Sequence, residues 1–155
     1  YVVRAAEKLR RQRQRATALT VYTRTSPFIP AFYSQAASTR LDLPSNDTAV
    51  LLEATLPLVD RIVRPHRQLA TAGVLMQHLQ GTDTLQSHLM VPMSAEQQGK
   101  RECLMQTIDR LNQRYGRGTV HWAACGLQPG WMMRRERLSR AATTRLSDLP
   151  TIHAR

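Results

Sequence analysis

Thr17-Ala18-Leu19-Thr20-Val21-Tyr22-Thr23-Arg24-Thr25 is the stretch on which the fold turns. Leu19, Val21 and Thr23 project to one side, and Thr20, Tyr22 and Arg24 to the other. That period of two marks a strand with one buried face and one wet face. Pro27 and Pro30 end it, because proline has no N–H to give a strand ladder. A second strand follows from Phe32 to Leu43, carrying Ser34, Gln35, Ser38, Thr39 and Arg40. Two neighbouring strands with polar and arginine-tipped residues predict a sheet that is open to solvent on one side.

Upstream, Tyr1 to Arg15 reads as a helix with Val2, Ala5, Ala6 and Leu9 on one face. Arg10, Arg11, Arg13 and Arg15 crowd its end, where cations suit the negative pole of the helix dipole. Downstream, Ser45 or Asn46 can cap a helix running to about Val63. Leu51, Leu52, Thr55, Leu58, Val59, Ile62 and Val63 form its apolar side. Pro57 lies inside, where it costs about 3 kcal/mol or more unless the helix bends or restarts, so a kink or break near Ala54 is expected. Leu69 to Met76 is apolar enough for a central third strand.

From Gln77 the periodicity fades, and residues 80–101 read as a linker between a domain at 1–79 and a module at 102–155. Leu104, Ile108 and Leu111 recur at spacings of four and three, a helix with its apolar stripe against a core. Arg110, Gln113 and Arg114 fall off that stripe. Gly116 should end the helix by taking a left-handed conformation. Thr119 to Ala123 suits a short strand, Gly126 and Pro129-Gly130 supply turns, and Trp131 to Leu138 is a basic arm. The expected class is therefore α+β: a split βαβ sheet with two helices on one face, then a small helix–strand module.

The composition narrows the partners. The 155 residues carry a formal net charge of +11, and Lys8 and Lys100 are the only lysines. An arginine excess of this size points to a polyanion, since the planar guanidinium matches phosphate oxygens. Hydrophobic residues reach 42%, enough for a core, while aromatics at 5% make it aliphatic. No apolar run approaches the ~20 residues of a membrane span, and no signal peptide is visible. Cys103 and Cys125 are too few for a disulfide framework, which fits a reducing cytoplasm. His121 and Cys125 lack the further pair that a zinc site needs.

Several words in the chain resemble UmuC-type Y-family DNA polymerases, the catalytic subunits of DNA polymerase V and its plasmid relatives. In the first domain these are Arg4-Ala5-Ala6-Glu7-Lys8-Leu9-Arg10, Thr25-Ser26-Pro27-Phe28 and Ala72-Gly73-Val74-Leu75-Met76. In the second they are Asn112 to Thr119, Ala124-Cys125-Gly126-Leu127-Gln128, Trp131 to Arg135 and Thr143-Thr144-Arg145. The resemblance implies a little finger domain followed by the UmuC C-terminal module. The family's little finger has a four-stranded sheet backed by two helices, so its first strand would precede Tyr1 and leave an exposed edge here.

The resemblance also implies partners. A little finger holds duplex DNA through its phosphates, which makes Tyr22, Arg24, Thr25, Ser34, Gln35, Ser38, Thr39 and Arg40 candidate DNA contacts that read no sequence. Where Thr71 stands the family often carries a lysine. Gln86, Leu89 and Met90 resemble the peptide by which bacterial polymerases dock on the sliding clamp, with Met90 in place of the usual phenylalanine. Trp131, Arg134, Arg135, Arg137 and Arg145 lie where the family contacts a cleaved UmuD-type accessory dimer or DNA, and RecA is a further candidate partner. Arg140-Ala141-Ala142 departs from the family's Pro-Arg-Tyr. Trp122 reads as core, while core and contact both stay open for Trp131.

Polymerisation needs clustered carboxylates to hold metal ions. The 11 acidic residues are scattered and form no Asp-x-Asp or Asp-Glu word. No catalytic residue, metal ligand or cofactor is therefore expected within this sequence; magnesium would belong to the parent polymerase's palm domain. The expected function is the DNA- and partner-binding part of an error-prone translesion polymerase acting in SOS repair and mutagenesis. The alternative is a free-standing, non-catalytic protein from a truncated or split gene that binds DNA or a polymerase.

Overall fold

A computed structural model describes residues 1–82, 95–126, 140, 141, 143, 144 and 146–150, with Ala95 and Leu146 described by backbone alone. The chain divides into two units, Tyr1–Val120 and His121–Arg155.

Helix α1 spans Val2–Arg11 and buries Val2, Ala6 and Leu9, one apolar stripe of the expected helix. It stops four residues sooner than the sequence reading, because Arg13 takes φ 52° and turns the chain into strand β1, Gln14–Arg24. Lys8, Arg10 and Arg11 sit in the last turn, where the dipole favours cations. Strand β2, Ser34–Ser45, and strand β3, Thr71–Gln77, pair antiparallel with the two sides of β1. The sheet order is thus β2-β1-β3: β1 is central and buried on both flanks, while β3, apolar enough to be expected there, lies to one side of it. A two-residue strand β4, Gln80–Gly81, continues along the β3 side to pair with Gln14 and Arg15. At the interruption His78 takes φ 50° and its carbonyl accepts a 3.2 Å hydrogen bond from Thr17 Oγ1.

Helix α2, Thr48–Ile62, packs beside α1 on the same face of the sheet. Leu51, Leu58 and Ile62 join Val2, Ala6, Leu9, Ala16, Leu19 and Val21 in one core. The strand and helix periodicities read from sequence therefore meet in a single aliphatic layer. The cap differs from both residues proposed for it. Asp47 is the N-cap, and its side chain accepts from Ala49 N at 2.8 Å. Ser45 and Asn46 are used otherwise: Ser45 Oγ accepts from Asp47 N, and Asn46 Nδ2 donates to Gln14 O. Nor does the helix break near Ala54; it runs continuously past Pro57, held to the core by Leu51, Thr55 and Leu58 on one side.

Helix α3, Ala95–Tyr115, begins inside the stretch 80–101 that reads as a linker and belongs to the first unit. Its inward face is not the Leu104–Ile108–Leu111 stripe. Leu104 is 54% exposed and Leu111 is 36% exposed, while Met105 is buried. Arg101, Met105, Ile108, Asp109 and Asn112 form the covered side, and that side is largely polar. Three ion pairs attach it to the sheet domain. Arg10 makes a two-pronged pair with Asp109, both contacts at 2.7 Å. Arg15 Nη2 meets Glu102 Oε1 at 2.6 Å, and Arg101 Nε meets Asp47 Oδ2 at 2.9 Å. Periodic apolar residues were the wrong guide here, because a helix docked by arginine forks has no need of a leucine stripe.

Gly116 does end α3 in a left-handed conformation, φ 108°. The amide of Asn112 then clamps Val120, donating to its carbonyl and accepting from its N–H, each at 2.9 Å. The expected strand at Thr119–Ala123 is absent: Thr119 folds back on Gly116 O, and Ala123–Cys125 is a 3-10 turn. In the second unit a further 3-10 turn spans Leu146–Asp148, and Asp148 Oδ2 accepts from Ala141 N.

Thr23 Oγ1 is buried and has no hydrogen-bond partner among the described residues. A hydroxyl in that state costs desolvation without return. Thr23→Val is therefore expected to be neutral or to stabilise by up to ~1 kcal/mol. Urea unfolding of the two proteins checks this, and a clear loss of stability would show that the hydroxyl is satisfied.

Candidate nucleic-acid interface

Helices α1 and α2 pack on one side of the sheet, and among the described residues the other side presents exposed Arg24, Ser34, Ser38 and Arg40. The strand register decides which side chains reach it. Tyr22 pairs with Ala36 and Gly73, Arg24 with Ser34 and Thr71, Thr20 with Ser38 and Leu75, and Ala18 with Arg40 and Gln77. Directly opposed residues share a face. Tyr22, Arg24, Ser34, Ser38 and Arg40 are thereby brought together on the open face.

The remaining three candidates fall elsewhere. Gln35 pairs with Thr23 and Thr39 with Leu19, so alternation carries both to the helix-facing side. Thr25 is 2% exposed, and its hydroxyl accepts from Tyr33 N at 2.9 Å, closing the end of the hairpin. Thr25 and Gln35 thus lie away from the open face, whereas Thr39 still borders the recess at its end. The sequence alone treated the polar residues of the second strand as a set, and only the register separates odd from even positions.

Arg24 and Arg40 are exposed, and neither guanidinium has an ion-pair partner among the described residues. Other arginines are engaged: Arg10, Arg15 and Arg101 hold α3. Between the strands Thr20 Oγ1 links Ser38 Oγ at 2.8 Å and Gln77 Oε1 at 2.9 Å. This ladder fixes polar groups across three strands before any partner arrives. An open recess of ≈450 Å³ lies at one end, lined by Ala18, Ser38, Thr39, Arg40, Gln77 and His78. Gln77 and His78 are not among the sequence candidates; only the register, which pairs Gln77 with Ala18, places Gln77 here.

Tyr22 owes its position to a glycine. A Cβ at Gly73 would lie 2.3 Å from the Tyr22 ring, so only a bare Cα lets the ring lie across β3. The phenol ring therefore rests against the β3 backbone at Gly73.

Gln86, Leu89, Met90, Trp131, Arg134, Arg135, Arg137 and Arg145 lie outside the described residues. Among the described residues no group of three or more His, Cys, Asp or Glu side chains could hold a metal ion, and no helix is long and apolar enough to cross a membrane.

An antiparallel sheet with two helices on one side and arginines on the other has relatives. A sequence model of the impB/mucB/samB family C-terminal domain matches residues 1–89, and the chain belongs to that family of UmuC-type proteins. A second model, for a domain of unknown function (DUF4113), matches residues 102–152. The chain is 36% identical over 149 residues to Protein SamB of Salmonella typhimurium, covering 95% of this chain and 34% of that protein. It is 36% identical over 152 residues to Protein ImpB of the same species, covering 97% and 35%. Against Protein UmuC of strain LT2 the identity is 34% over 151 residues, covering 96% and 35%. The chain thus spans about a third of the length of these curated relatives.

Proposed function

We propose that this chain is the DNA- and partner-binding part of an error-prone translesion DNA polymerase acting in SOS repair and mutagenesis. The open sheet face grips the sugar–phosphate backbone of duplex DNA. Arg24 and Arg40 supply charge, while Tyr22, Ser34 and Ser38 supply hydrogen bonds to phosphate oxygens. Such contacts position a duplex without reading it, as a damaged template requires. The observation that carries this reading is the pair of exposed arginines on one face, with no carboxylate partner among the described residues. Family membership supports it independently.

Two further contacts belong to the same proposal. Gln86, Leu89 and Met90 would tether the chain to the sliding clamp, placing two apolar anchors in a preformed groove. Trp131, Arg134, Arg135, Arg137 and Arg145 would dock the cleaved UmuD-type dimer or DNA, with RecA a further partner. Bond-making, with its magnesium, would fall to the remaining part of a full-length relative.

Binding of a duplex by fluorescence anisotropy tests the central claim. Affinity should fall steeply between about 50 and about 200 mM salt and be indifferent to sequence, because each neutralised phosphate releases counterions. Arg24→Ala with Arg40→Ala should weaken binding on the order of 10–100-fold and reduce the slope of log affinity on log salt by about 2. A salt-independent affinity, or a double variant that binds like the parent, removes the open face from DNA binding.

A further inference from the structure

The chain contains two phenylalanines, and both lie on the turn between β1 and β2. Phe28 is 94% exposed and Phe32 is 56% exposed, with Ile29 beside them. Large aromatic side chains normally supply core, so their joint exposure calls for a partner. The turn is nevertheless held in place. Phe28 N donates to Ser26 Oγ, Thr25 N donates to Tyr33 O at 2.9 Å, and Tyr33 Oη donates to Ile62 O at 2.8 Å. The Arg67 guanidinium lies 4.6 Å from the centre of the Tyr33 ring.

The surrounding charge is one-sided. Residues 25–33 carry no charged side chain, and the neighbouring loop 63–70 contributes Arg64, His66 and Arg67 without an acid. Arg24, at the end of β1, opens directly onto the turn, and the carbonyl of Arg24 accepts from Ala70 N to bring the second loop alongside. Asp60 is the nearest acid along the sequence, one turn back on α2 and exposed. Exposed flat rings on a stretch without acids, with Arg24 at its start and two arginines on the adjoining loop, suit the π-faces of bases on a phosphate chain better than an apolar protein surface.

We propose that this turn is a stacking site for unpaired nucleobases: Phe28 and Phe32 receive bases from a single strand that leaves the open face past Arg24, while Arg64 and Arg67 hold its phosphates. The inference rests on the reading of the open face as a DNA grip. It adds a preference for a junction between duplex and single strand, at the end of the sheet where β1 turns into β2.

Anisotropy titrations of the whole 155-residue chain with a blunt duplex, and with the same duplex bearing a single-stranded overhang, test it. The parent should bind the overhang DNA more tightly. Phe28→Ala with Phe32→Ala should reduce that affinity roughly tenfold and leave blunt-duplex binding unchanged, while Phe28→Trp should retain it. If the double alanine variant matches the parent on overhang DNA while blunt duplex still binds, the stacking site is refuted and the open-face grip survives. If neither DNA binds the parent, both readings fall. If the double variant turns a dimer into a monomer by light scattering without altering DNA affinity, the rings are a self-association surface and the proposal is overturned.

Discussion

Leu19→Ala is expected to destabilise the sheet domain by about 3–5 kcal/mol, since a fully buried leucine removed from a packed core loses its transfer free energy and leaves a cavity. Leu19 is 0% exposed and lies at the centre of the middle strand. The core it belongs to draws on α1, α2 and both flanking strands, with Leu51 and Met76 among its members. They cannot close the gap without moving two helices. Domains of this size are stable by only ~5–15 kcal/mol, so the loss is a large share of the total. Calorimetry should show a fall in melting temperature on the order of 10–20 °C. A change of a degree or two would mean that the helices do not close over β1 as described.

Arg10→Ala is expected to cost about 2–4 kcal/mol, more than a surface ion pair contributes, because both partners are largely buried. The side chains of Arg10 and Asp109 are only 10% and 17% exposed. Arg10 does more than pair with Asp109. Its Nη1 donates to Asn46 O at 2.6 Å and to Thr48 Oγ1 at 3.0 Å, so one guanidinium ties α1, the start of α2 and α3 together. Lysine cannot fill that fork with a single ammonium, and Arg10→Lys should recover only part of the loss. Asp109→Asn keeps the shape and removes the charge, and it should loosen α3 while leaving the sheet core intact. Hydrogen exchange separates the two effects: amides of α3 should lose protection in Asp109→Asn while those of β1 keep theirs. Equal loss in both elements would show that α3 is integral to the core and not strapped onto it.

The two predictions probe different kinds of legibility. Leu19 is readable from local sequence because a strand between helices and water must alternate, and nine consecutive residues display that alternation. Its place at the centre of the sheet is not readable, since nothing local says which strands pair. Arg10 is invisible as a structural residue for a related reason. Its partner lies 99 positions away, and the sequence shows only one arginine among several at a helix end. The Leu104–Ile108–Leu111 stripe misled on the same account: spacing reveals which residues share a helix face, but not whether the surface they meet is oily or ionic. Among the candidate DNA contacts, polarity picked out residues of the two paired strands, and only register says which of them share a sheet face: Tyr22, Arg24, Ser34, Ser38 and Arg40 on one side, Gln35 and Thr39 on the other.

Sequence by itself determined the α+β class, the order helix, strand, strand, helix, strand, the helix exit at Gly116 and the family, because these depend on residue type and short-range spacing. Tertiary structure alone decided that α3 is bound to the sheet domain by three arginine–carboxylate pairs, that Arg24 and Arg40 are left exposed on one open face, and that both phenylalanines face solvent. Each of these outcomes depends on which distant carboxylate or strand comes within reach, and that is set only when the chain closes on itself.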